Sequence, residues 1–139
     1  MKKTLVALMA GTLLVGSLEA ATPNKKDPRL ELMQDMRTML DAMEQIQRGG
    51  LYSSTDEMKA GVKKLQGTLK SLESEEVKVI LPKDQVYAYK FAQKTAQMLR
   101  MYSDDMIVSI EGGKMDNALD DYTQLLKQCT SCHIRIRNW

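Results

Sequence analysis

Five consecutive residues near the end of the chain hold its most specific chemistry: Cys129-Thr130-Ser131-Cys132-His133. Two thiols three positions apart, followed at once by an imidazole, form the C-x-x-C-H pattern of c-type haem attachment. The thiols add across the two vinyl groups of the porphyrin as thioethers, and the adjacent imidazole reaches the iron from the same side. A helix suits this chemistry, because Cys129 and Cys132 then stand i,i+3 and Cys129 and His133 i,i+4, all on one face. Neutral histidine is an ordinary proximal ligand of haem iron.

Other uses of the same residues fit less well. A disulfide between Cys129 and Cys132 is compatible with an oxidising compartment but leaves His133 without a role. A zinc site needs four ligands, and the chain has one cysteine pair and 1 His. A thioredoxin-type redox pair wants a βαβ context and a helix N-terminus, whereas this pair lies near the end of the last helical stretch.

Composition narrows the field further. The 139 residues hold 20 Lys plus Arg against 18 Asp plus Glu, a formal charge of +2, which provides no electrostatic footprint for nucleic acid. Aromatics make up 5% and strand-forming residues never alternate over a long run, so a β-sandwich or barrel is excluded. Two cysteines are too few for a disulfide scaffold. No nucleophile–base pair or second metal site is visible, so nothing points to an enzyme.

Residues 1–20 read as a secretory signal peptide: Lys2 and Lys3, an apolar stretch over residues 5–15, and Ala20 at the cleavage point. The stretch is too short for a stable membrane span. An uncleaved anchor is the alternative, because Leu18 stands where a small residue is preferred. Cleavage leaves residues 21–139 close to neutral, as one exported domain, and the leader's form suits a bacterial periplasm. No membrane association is expected after cleavage.

Four amphipathic helices are predicted to position the cysteines and the histidine. Helix A starts at Asp27-Pro28, a capping side chain followed by a first-turn proline. Its stripe is Met33, Met36, Leu40 and Met43, widened by Leu30, Met39 and Ile46, and Gly49-Gly50 is expected to end it. Helix B opens on a Ser54–Glu57 capping box and carries Met58, Val62, Leu65, Leu69 and Leu72. Gly61 and Gly67 each lower its propensity by ~1 kcal/mol relative to Ala, so packing must hold it. Residues 75–82 break the period yet contain Val77, Val79, Ile80 and Leu81, apolar enough to fold over one end of a core. Helix C is expected from near Lys83 to about Glu111, with Tyr89, Ala92, Ala96, Leu99, Met106 and Ile110 inward, before a stop at Gly112-Gly113. Helix D follows from about Lys114, with Met115, Leu119, Tyr122, Leu126, Cys129, Cys132 and Ile136 on its expected buried side. Short connections favour antiparallel neighbours. The expected fold is therefore all-α, an up-down-up-down antiparallel four-helix bundle with one covalently bound haem.

Such a bundle resembles the class II cytochromes c, the cytochrome c-prime family, over essentially all of residues 21–139. The matching elements are Cys129, Cys132, His133, Arg137 one turn later, and a helix A start reading Arg29-x-x-x-Met33-x-x-Met36. Ile136 stands where the family usually has an aromatic. In up-down topology helix D ends where helix A begins. At ~1.5 Å rise per residue, Met33 and Met36 then stand at the height of His133. Met43, Met58 and Met106 fall one or more turns away. Leu69, Leu72, the 75–82 segment, Val86 and Tyr89 share that end and are expected to wall the haem pocket.

With one histidine, the sixth iron position falls to methionine, lysine, water or nothing. The rival reading is that most methionines of the expected helices (33, 36, 39, 43, 58, 98, 101, 106 and 115) are core filler, since Met packs irregular gaps well. In the family the residue matching Met33 faces the iron. A bulky aliphatic there implies five-coordinate, high-spin iron that binds nitric oxide, and a methionine implies six-coordinate, low-spin iron that carries electrons. The resemblance thus implies a periplasmic one-electron carrier with His133 and Met33 as axial ligands. The alternative is a nitric-oxide-binding protein in which Met33 only lines the distal pocket. Arg137 fits either a haem propionate or the helix C-terminus, where the macrodipole favours a cation. The implied partners are periplasmic redox proteins. A homodimer through the first two helices is open, although the exposed faces show no apolar seam.

Overall fold

The computed structural model describes residues 27–81 and 87–137, and among these the chain is helical with no strand. Four long helices, α1 (Pro28–Leu51), α2 (Thr55–Glu73), α4 (Ala88–Glu111) and α5 (Met115–Arg137), are joined by one short helix, α3 (Val77–Ile80). The expected leader, residues 1–20, and Val86 lie outside the described residues.

The helix starts follow local chemistry. The Asp27 carboxylate accepts from the Arg29 amide at 2.9 Å, with Pro28 in the first turn. The Ser54 hydroxyl accepts from the Glu57 amide at 3.3 Å. The other half of the expected capping box does not form. The Ser54 amide already donates to the Gly49 carbonyl at 2.8 Å, and the Glu57 carboxylate turns to Arg48 at 3.5 Å. Gly49-Gly50 does not end α1 either. The helix runs through both glycines to Leu51, and the chain reverses at Ser53, whose φ is 56°. Gly49 serves packing instead: a Cβ there would stand 2.6 Å from the Met58 amide nitrogen. Gly112-Gly113 does stop α4, with Gly113 at a φ of 68° that a side chain rarely adopts.

α1 packs along α2, α2 along α4, and α4 along α5, while α3 rests against α1 and α2. Residues late in α1 meet residues early in α2, as in the close approach of Gly61 to Ile46 and Ala42. Gln66 of α2 donates to the Ser103 hydroxyl at 3.1 Å and the Asp104 carboxylate at 2.7 Å. Further along α2, Glu73 accepts from Arg100 at 2.8 Å. The α4–α5 pair is tied at opposite ends by Ser109 to Asp121 at 3.3 Å and by Arg135 stacked 4.8 Å over the Phe91 ring. Ile46, Val62, Leu65, Leu69, Leu99 and Met106 form the centre of one shared core. Of the apolar 75–82 segment, the described residues 75–81 cover its end through fully buried Val77.

The expected inner face of α5 is displaced. Ala118 and Leu125 are the buried residues, whereas Met115, Leu119 and Leu126 are exposed; on α1, Leu30 and Leu40 are exposed as well. The reason is that α5 packs on α4 and makes no extended contact with α1. Met115 and Leu119 instead face Ile46 and Leu51 of α1 across a cavity of about 400 Å³.

Two glycines of α2 give opposite expectations. A Cβ at Gly61 would stand 2.7 Å from Ile46 Cγ1 and 3.0 Å from the Ala42 carbonyl, whereas one at Gly67 meets nothing within 4 Å. Gly61→Ala should cost ~1–3 kcal/mol by forcing α1 and α2 apart, and Gly67→Ala should stabilise by ~0.5–1 kcal/mol. Denaturant unfolding of the two variants reads both signs.

Candidate functional site

At the opposite end of the gap between α1 and α5 lies a second cleft, of about 420 Å³. The first turns of α1 and the last turns of α5 form its two sides, and the end of α2, the end of α3, Leu81 and the start of α4 complete it. Met33 and Met36 stand on the α1 side, Cys132, His133 and Ile136 on the α5 side, and Leu72, Ile80, Leu81 and Ala92 form an apolar floor. Arg29 and Arg37 are the charged residues of the lining, which holds no carboxylate.

The helical spacing of the C-x-x-C-H segment decides how its members are exposed. Cys132 and His133 reach the cleft, while Cys129, one turn back, is half-buried against the core. Both cysteines are free thiols. Burial pushes the Cys129 thiol up to about 11, with the nearby Cys132 adding to the shift and a backbone hydrogen bond opposing it. Cys132 is raised too, by burial first, against a hydrogen bond with Thr95. Burial also raises Tyr122, about two turns before Cys129 on α5, with Cys129 contributing. Among the described residues no group of three or more His, Cys, Asp or Glu is arranged to hold a metal ion, so a closed zinc site finds no ligand set.

The methionines stand in different surroundings. Met39, Met43, Met58 and Met106 are core residues, as their packing chemistry suggests. Met33 is not part of that core and is 47% exposed on the cleft, while Met36 touches both the core and the cleft. Of the expected pocket walls, Leu72 lies on the cleft, but Leu69 is fully buried behind it, because its position on α2 points at the bundle centre. Tyr89 is not on the cleft. Its hydroxyl donates to Glu75 at 3.3 Å and Lys78 lies 4.3 Å over its ring, which fastens α4 to the turn before α3. Arg137 belongs to the last turn of α5. Leu32, Arg37 and Ala92 were not anticipated on the cleft. The i+4 relation of Arg37 to Met33 and the place of Ala92 in the stripe of α4 were the available signals.

Comparison of the chain with protein families, curated proteins and solved structures yields no match.

The cleft presents a thiol and a ring nitrogen from α5 and thioether sulfurs from α1 around a largely apolar lining. Its volume is within the ~300–1,000 Å³ usual for ligand and cofactor sites, and its lining is mostly apolar, as such sites are. A thiol raised to about 11 is almost wholly protonated at neutral pH. Iodoacetamide should therefore alkylate Cys129 roughly ten- to a hundredfold more slowly at pH 8 than a free peptide cysteine, measured by mass spectrometry. The gap should close as pH rises toward 11.

Proposed function

We propose that this chain is an exported class II c-type cytochrome, a one-electron carrier with a single haem held by Cys129 and Cys132. The observation that carries the reading is that Met33 and Met36 of α1 wall the same cleft as Cys132 and His133 of α5. These are the residues that the attachment pattern and the family resemblance pair across the iron. The order of contacts from α1 to α2, α2 to α4 and α4 to α5 supports an up-down-up-down antiparallel bundle, with α3 as a plug in the second connection. The leader-like residues 1–20 support export to the bacterial periplasm, where c-type haem is attached.

When bound, the haem supplies a metal centre that takes up and gives back one electron without transfer of any other group. The protein's part is to hold, orient and tune it. In this reading His133 provides the proximal nitrogen, and its place directly after Cys132 keeps the imidazole on the attachment side. Met33 provides the distal sulfur, a soft ligand that raises the reduction potential relative to harder ones. Leu72, Ile80, Leu81 and Ile136 exclude water from the iron, which favours the less charged, reduced state. Half-exposed Met33 is not locked by core packing, and this is what keeps a gas-binding protein with a vacant sixth position as the second reading.

Three outcomes are expected of the purified holoprotein. Its intact mass includes one haem. Its spectra show low-spin bands with a methionine–iron charge-transfer feature. Met33→Ala abolishes that feature and opens the iron to nitric oxide. High-spin bands untouched by Met33→Ala, with ready nitric oxide binding by the parent protein, would establish the gas-binding alternative. A mature mass without haem would overturn both.

A further inference from the structure

Near-neutral net charge conceals a segregation along α4 and α5. Residues 87–100 and 127–137 carry Lys90, Lys94, Arg100, Lys127, Arg135 and Arg137 and no carboxylate. Residues 101–126 carry Asp104, Asp105, Glu111, Asp116, Asp120 and Asp121 against Lys114 alone. The pairing of Phe91 with Arg135 and of Ser109 with Asp121 sets the two basic stretches side by side at the cleft end and the acidic ones at the far end. With α1, α2 and α3 included, the cleft end (27–39, 66–81, 87–100 and 127–137) holds ten Lys and Arg against six Asp and Glu. The far end (40–65 and 101–126) holds five against ten.

Helix stability does not account for this polarity. Cations near a helix C-terminus and anions near its N-terminus are favoured by the macrodipole, and α5 obeys that rule. α4 runs against it, with no acidic residue in its first turn, no basic residue in its last, and Lys90 and Lys94 near its start. Its charges agree with those of α5 across the pair and disagree with its own dipole. At the far end Asp121 is raised from its ordinary value, by burial first and then by Asp105 and Asp120, against its bond with Ser109.

The cleft end exposes Leu30, Val79, Tyr87 and Ile134, and the far end Leu40, Leu51, Tyr52, Val108 and Leu119, all more than half accessible, so it is charge and not apolar exposure that distinguishes the two ends. Scattered apolar contacts within a charged rim suit a transient protein encounter, in which charge supplies steering and orientation more than affinity.

We infer that the cleft end is the docking face for a protein partner whose own surface is acidic, and that the charge polarity of the bundle turns this end toward it. The inference rests on the proposed function in one respect, that electrons pass at the cleft. The two carboxylates of a bound haem would reduce the positive excess there without reversing it.

The test uses the reduced holoprotein and two small oxidants of opposite charge, anionic ferricyanide and cationic tris(phenanthroline)cobalt(III). Raising the salt from about 10 mM to about 0.2 M should slow the ferricyanide reaction roughly threefold to tenfold and speed the cobalt reaction. Lys90→Glu with Lys94→Glu should flatten the ferricyanide salt dependence without changing the visible spectrum. Asp116→Lys with Asp120→Lys at the far end should leave it in place. Poly-L-glutamate, as an acidic-polypeptide probe, should bind at low salt and slow the ferricyanide reaction, and phosphatidylglycerol vesicles should not retain the protein. Normal haem bands with flat or inverted salt dependence would overturn the inference alone, and retention on the vesicles would assign the face to an anionic lipid surface instead. Poly-L-glutamate binding, read by sedimentation, does not need the haem. A haem-free chain would therefore sink the functional reading while still reporting on this face.

Discussion

The contact on which the rest depends is the close approach of α1 to α2 at small residues. Gly61 lies against Ala42 and Ile46, and Gly49 against Met58, so the two backbones come nearer than side chains would permit. α2 then has its remaining inward positions, Leu65, Leu69 and Leu72, free for the core that it shares with α4. α1 and α5 are each committed to a different neighbour and do not close on one another. The cleft that carries Cys132 and His133 exists because of that division, with hydrophobic burial on the other faces holding the gap open.

The same geometry separates two uses of one residue type. A thioether side chain is flexible and apolar and fills a core readily, and four of the methionines of the bundle do that. Met33 sits on the first turns of α1, past the reach of the core and opposite the last turns of α5. Its surroundings, more than its chemistry, distinguish it from Met43 or Met106. The thiols of Cys129 and Cys132 likewise owe their raised protonation range to burial along α5. A buried, protonated thiol is a poor nucleophile and a poor general redox partner, and both cysteines share that restraint.

Much was legible in the chain itself. Asp27-Pro28, Ser54 and Gly112-Gly113 mark helix ends by chemistry that works within a few residues, and all three do so in the structure. The stripe of α2 and most of that of α4 are buried as their periodicity predicts, because both helices pack on more than one neighbour; Tyr89 is half-buried, and Met101 and Val108 of α4 face solvent. The pattern at residues 129–133 and the shared height of Met33 and His133 follow from helical rise and connection order. Where the reading failed, the cause was a partner that the periodicity could not name. Met115, Leu119, Leu126 and Leu40 are apolar at helical spacing, yet they face a gap or solvent. Gly49-Gly50 has the form of a helix stop, yet the helix runs through it and Gly49 serves as a packing notch.

The sequence by itself determined the number and type of the main helices, the ends of most of them, and the reactive residues with the spacing their chemistry requires. These are properties of neighbours within about one helical turn, where propensity, capping and side-chain period operate without reference to the rest of the chain. Tertiary structure alone decided which helices touch, and therefore which apolar stripe became core and which became the wall of a cleft. It also decided that Leu72 and not Leu69 lines that cleft, and that charges scattered along two helices add up to a basic end and an acidic one. Packing and electrostatic fields sum over residues brought together from distant parts of the chain, and those sums exist only once the helices are placed.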